Sequence, residues 1–237
     1  MREGITNINN FKKGGEIMKK KLVKIATLAM AAVSLVVVTV LVTVAFLTSK
    51  ATVTNTFTVG KVGITMYESY VDSEGQKDTT QDKKSNGNEY NLVPGKNYCK
   101  DPSIYITGKS EESYLFVTIA NGISAIEDST ATMVSQMEAN GWKKIGTSPK
   151  GDVYVYANNV VAGEYATKVG GVTDEQEIPV FATFTLKKTA DVSSYEDATV
   201  ALFAYAIQAD TFENSETGVQ NAWAAMVETY SELQTTP

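Results

Sequence analysis

Histidine is absent from all 237 residues. Without an imidazole the chain can form no Ser-His-Asp or Cys-His nucleophile pair and no HExxH zinc helix. Cysteine occurs once, at Cys99, so no disulfide can close within the chain and stability has to come from a packed core. As a nucleophile Cys99 has no histidine to activate it, and it reads as a buried or merely tolerated thiol. Prolines number only five and the apolar fraction is 43%. Once any targeting segment is removed, that leaves enough chain for one domain of sandwich size.

The apolar residues that open the chain are concentrated in one run. Ile25 to Leu47 is almost uninterruptedly hydrophobic and follows Lys19, Lys20, Lys21 and Lys24, the basic and apolar regions of an export signal. A retained membrane anchor is the competing reading of so long a run. Thr43-Val44-Ala45 supplies small residues for a peptidase, so cleavage is expected between Ala45 and Phe46. Residues 1–17 fit no part of such a signal, and Lys12 to Ile17 (KKGGEI) is what a ribosome-binding site would encode in frame. Translation is therefore expected to begin at Met18, with 18–45 as the signal peptide. Removing residues 1–45 takes away seven basic and two acidic residues and leaves 14 against 25, a net charge of −11. An acidic chain of this kind is no partner for nucleic acid, and it would touch a membrane only through the uncleaved signal segment.

Beyond the signal the periodicity is that of strands. Residues 52–59 (TVTNTFTV) alternate, with Val53, Asn55, Phe57 and Val59 on one face and four threonines on the other. Gly60 ends this segment, and Val62, Ile64 and Met66 mark the inward face of a second strand. The polar stretch 72–89 reads as an exposed loop, and Val93-Pro94-Gly95-Lys96 as a type II turn. Strands are expected at 103–107 and 114–119, the latter apolar on both faces and so placed between two layers. A hairpin is expected from Trp142–Ile145 and Asp152–Tyr156, and further strands at 180–186 and 199–207. Met133, Val134 and Met137 before Asn140-Gly141 predict a short helix. Val219, Trp223, Met226, Tyr230 and Leu233 predict a C-terminal one, with Thr217 and Gln220 in capping-box spacing. The whole reads as an all-β, two-sheet β-sandwich over 60–237, with a short inserted helix and a C-terminal helix, preceded by the N-terminal signal helix.

Several short motifs then fall in a familiar order: Thr43-Val44-Ala45-Phe46, Val53 to Gly60 (VTNTFTVG), Ile64-Thr65, Leu92 to Lys96 (LVPGK) with Lys100-Asp101-Pro102, Ser110-Glu111, and Tyr205 to Ala209 (YAIQA) before Trp223. In this the chain resembles the TasA/camelysin family, clostridial branch, over essentially all of residues 25–230. It departs from the pattern at Leu41-Val42, where relatives often carry a glycine pair. The resemblance implies a jelly-roll-like sandwich, export through a SipW-like signal peptidase, and a place at the Gram-positive surface or in the biofilm matrix. There relatives form fibres by adding an N-terminal strand of one subunit to the next. The matching segment is 46–59. Its alternating pattern suits either its own sheet or a neighbour's, because backbone groups pair equally well in both. An accessory matrix or anchoring protein is a further partner that the resemblance allows.

Camelysin is described as a metallopeptidase, but the residues here do not supply that chemistry. Without histidine a zinc ion would have carboxylates and one thiol. Asp174, Glu175 and Glu177 are the densest acidic cluster after the 72–89 loop, yet they lack the ordered Asp-x-Asp-x-Asp-Gly pattern of a calcium loop and read as solvated carboxylates. No cofactor and no catalytic residue is expected. Aromatic strands such as Val153 to Tyr156 keep a sugar-binding adhesin open as the alternative, although tyrosines on strands more often pack against their cross-strand neighbours.

Overall fold

The computed structural model describes residues 48–51, 62–83 and 87–234. Along these the chain forms β1 (Thr48–Ala51), β2 (Ile64–Tyr67), β3 (Asn97–Cys99), β4 (Ser103–Ile106) and β5 (Ser113–Asn121). There follow helix α1 (Met133–Ala139), β6 (Trp142–Ser148), β7 (Gly151–Tyr156), β8 (Lys168–Val169), β9 (Gln176–Pro179), β10 (Thr183–Thr185), β11 (Val200–Gln208) and helix α2 (Glu216–Thr229). The expected signal helix lies outside the described residues.

β5 and β11, nine residues each, pair along their whole length. They are the middle of a six-stranded antiparallel sheet ordered β1-β11-β5-β7-β6, with β8 beside the start of β5. Their alternation sorts two apolar sets. Leu115, Val117, Ile119, Ala204 and Ala206 face a core shared with Ile64, Met66, Ile104, Ile106 and Phe184 of the smaller sheets. Tyr114, Phe116, Tyr205 and Ile207 face the other way, onto Val219, Ala222, Trp223 and Met226 of α2. Both faces of β5 are therefore buried, as its sequence predicts. The C-terminal helix is a third layer: it covers the outer face of the large sheet, with Trp223 5.4 Å from the Phe116 ring and 5.8 Å from that of Tyr205.

The second sheet layer is divided into β2-β4-β9 and β3-β10. The two pieces are one bent ladder, since Lys100 N donates to Ala182 O and Val180 N to Pro102 O in the register that joins β3-β10 to β4-β9. Proline at 102 has no N–H to give, and the pairing lapses there. The expected single strand over 180–186 is accordingly broken. Phe181 is buried beside buried Val180, which shifts the alternation and leaves Ala182 exposed.

Local chemistry explains the joints. Lys96 N donates to Val93 O at 3.1 Å with Gly95 at φ +77°, closing the turn at 93–96. Helix α1 spans the predicted residues, and Thr132 caps it by accepting from Ser135 N. Helix α2 is capped by Ser215, whose Oγ accepts from Gly218 N at 3.1 Å, and not by the expected Thr217. The helix stops at Thr229, and Leu233 reaches the same core from a separate 3-10 turn. The hairpin β6-β7 turns at Pro149-Lys150, with a bulge between Lys144 and Gly146. Nor is the 72–89 stretch merely a solvated loop. Asp72 Oδ1 accepts from Glu74 N and Gln76 N, and Gly75 O accepts from Cys99 N at 2.8 Å, docking the turn onto β3.

Candidate functional site

An apolar strand buried on both faces is an aggregation hazard if its outer edge is open. β11 is such a strand, and β1 closes its edge. Thr48 lies opposite Ile207, Ser49 opposite Ala206, Lys50 opposite Tyr205 and Ala51 opposite Ala204, in antiparallel register. The sequence of β1, TSKA, carries no apolar alternation of its own, and a main-chain ladder joins it to β11. Such a ladder does not depend on which chain supplies the strand.

The opposite edge of the sheet is blunted. At β6 the bulge interrupts the ladder, Ile145 O accepts from Gln220 Nε2 of α2 at 3.0 Å, and Lys143 and Lys144 are exposed. Among the described residues the β11 edge, by contrast, is covered by one short segment, β1.

No protein family, curated protein or solved structure matches the chain. Of the residues singled out in the sequence, Ala45 and Phe46 at the expected cleavage point lie outside the described residues. So do Val53, Asn55, Phe57 and Val59 of the expected assembly strand. The pairing that is described, at 48–51, falls inside the 46–59 segment but ahead of its alternating part.

The enzymatic candidates do not converge. Glu177 accepts from the Tyr105 hydroxyl and pairs with Lys83 at 3.2 Å, which ties it to neighbours on its own sheet and loop. Among the described residues no group of three His, Cys, Asp or Glu side chains is placed to hold a metal ion. Cys99 is half-buried on β3, and burial together with the nearby Asp101 pushes its thiol pKa up, away from the reactive thiolate. The aromatic strand considered for sugars is unavailable: Val153, Tyr154, Val155 and Tyr156 are all buried in the two cores.

Sequence reasoning missed a cavity of about 830 Å³ at the end of the sandwich where β5 finishes and β11 begins. Tyr90, Phe184, Val192, Tyr195 and Val200 give it apolar walls, and Glu89, Glu196 and Asp197 also line it. Lys100 reaches it too, with its ammonium bound to Glu68 at 2.8 Å. These residues come from four separated segments that share no motif, so only the folded chain assembles them.

Proposed function

We propose that the chain is the precursor of an exported structural subunit of an extracellular matrix or surface layer, assembling by N-terminal strand addition rather than acting as an enzyme. The observation that carries this reading is the short, sequence-neutral β1 lying on the long apolar edge of β11. A strand of this kind, released by cleavage after Ala45, leaves its own sheet and pairs through its main chain with the β11 edge of the next subunit. The vacated edge accepts the strand of a third. Until cleavage by a SipW-like peptidase the segment stays tied to the signal run, so processing acts as the switch for assembly.

The jelly-roll arrangement and membership of the TasA/camelysin family belong to the same proposal. The antiparallel layers suit the first, and the motifs quoted from the sequence support the second.

The register supplies the test. Ala51 and Ala204 are direct partners, so Ala51→Cys with Ala204→Cys, in a Cys99→Ser background, reports where β1 sits. Assemblies of the chain beginning at Phe46, when oxidised, should run as a ladder of covalent multimers on a non-reducing gel. Assemblies cross-linked only within single chains would overturn the strand-addition reading.

A further inference from the structure

One buried carboxylate holds an amine and a primary amide together. Glu68 Oε2 accepts from the Lys100 ammonium at 2.8 Å, and Glu68 Oε1 accepts from Asn88 Nδ2 at 3.0 Å. Lys100 and Glu68 are both buried. An ammonium can donate three times, yet among the described residues that of Lys100 donates once, to Glu68. The amide is fixed as well, because Asn88 Nδ2 also donates to Ser69 O at 2.9 Å. Three segments bring these groups together: the residue after β2, the end of the 72–89 stretch, and the junction between β3 and β4. Burial, with Glu68 nearby, pushes the pKa of the adjoining Tyr90 hydroxyl up, as a site poor in water requires.

This is the arrangement that an amide exchange needs. An amine attacks a carboxamide when the nucleophile is neutral, the departing nitrogen is protonated and the two groups are held in place. One carboxyl group touching both nitrogens can move both protons. Burial favours the first transfer, since a proton passed from Lys100 to Glu68 turns two desolvated charges into a neutral amine and a neutral acid.

We propose that Lys100 and Asn88 become joined by an isopeptide bond that the folded chain makes itself, with Glu68 as the acid–base catalyst. Lys100 passes one proton to Glu68, and its Nζ attacks Cγ of Asn88. A second proton moves from Nζ by way of Glu68 to Nδ2, the Cγ–Nδ2 bond breaks, and ammonia leaves. Nζ keeps its third hydrogen in the new amide and Glu68 keeps a proton, so the site ends neutral. Nothing is oxidised or reduced. Asn88 and Lys100 both line the cavity, which gives the ammonia a way out. The bond closes 88–100 into a ring that contains β3 and ties the end of the 72–89 stretch to the sandwich. In a chain with a single cysteine it is a covalent tie that needs neither an oxidant nor a second thiol. It is separate from strand addition and stands or falls without it.

Trypsin digestion of the folded full chain, read by mass spectrometry, tests the bond. An unjoined chain is cut after Lys84, Lys96, Lys100 and Lys109 and releases peptides 85–96, 97–100 and 101–109 separately. In the joined chain Lys100 is acylated and resists trypsin. Peptide 85–96 should then appear bonded to 97–109, lighter than the sum of the two by one ammonia. Lys100→Arg keeps a cation opposite Glu68 but has no attacking amine, and should give no joined peptide. Glu68→Gln should slow joining at least about a hundredfold when denatured, unjoined chain is refolded. The fluorescence of buried Trp142 and Trp223 reports whether each variant has folded, and the wild-type peptides decide by themselves whether the bond forms. A folded wild-type chain that releases 85–96 free, or that loses ammonia within 85–96 alone, would overturn the proposal. So would joining that persists in Lys100→Arg, or that keeps the wild-type rate in Glu68→Gln.

Discussion

The Lys100 ammonium meets the Glu68 carboxylate at 2.8 Å, with only 9% and 6% of the two side chains exposed. Asn88 Nδ2 adds a bond to the other Glu68 oxygen at 3.0 Å. A pair this deep is costly to split, because the remaining charge stays buried. Lys100→Met should therefore lower unfolding free energy by about 3–5 kcal/mol, and adding Glu68→Met should recover much of it. Urea unfolding of the two variants decides the matter; a single-mutant loss below about 1 kcal/mol would mean water reaches the pair.

Glu127 is a buried acid held differently. It caps α1 by accepting from Met133 N, and it accepts from Asn121 Nδ2 at 2.9 Å. Burial raises its pKa above 4.5, and these two bonds only partly offset that. The folded chain thus holds the proton more tightly than the unfolded one. The stability this contributes is present below the unfolded pKa and is lost as pH rises through the raised value. Glu127→Gln cannot ionise, so its stability relative to wild type should climb as pH rises from below the ordinary carboxylate range through the raised value. Denaturation at several pH values measures this, and a flat difference would contradict it.

Trp223 joins α2 to the large sheet through the rings of Phe116 and Tyr205. Trp223→Ala should cost about 3–5 kcal/mol and expose the outer face of the sheet. Dye binding to exposed apolar surface, read beside thermal unfolding, would register both effects. Unchanged values would mean that the helix is not needed to cover that face.

The half-buried Cys99 thiol, its pKa raised by burial and by Asp101, should react with alkylating reagents at neutral pH more slowly than a free thiol does. Cys99→Ala should change stability by no more than about 1 kcal/mol. Rapid labelling of the native chain would show that burial does not protect this thiol.

Much of the fold was legible because period and burial coincide. The nearly continuous apolar run at 199–207 and the two-faced 114–119 read as inner strands, and they are the two central strands of the sheet. Met133, Val134 and Met137 placed α1 to the residue. Where local patterns competed, the reading slipped. Thr217 with Gln220 mimics a capping box, but Ser215 lies one residue ahead of the helix with Gly218 positioned to donate to it. The alternation over 180–186 is real in sequence, yet Pro102, between β3 and β4, withholds a donor and the pairing lapses there.

Composition and periodicity determined by themselves that the chain lacks imidazole chemistry, carries a basic and apolar run near its start, and continues into strands with a short inserted helix and a C-terminal one. These properties are local, carried by residues within a few positions of one another. Tertiary structure alone decided that the last helix forms a third layer, that β1 covers the β11 edge, and that Tyr90, Phe184, Tyr195 and Val200 meet around one cavity. Such groupings join residues far apart in the chain, and their register is set by the packing of faces that no single segment contains.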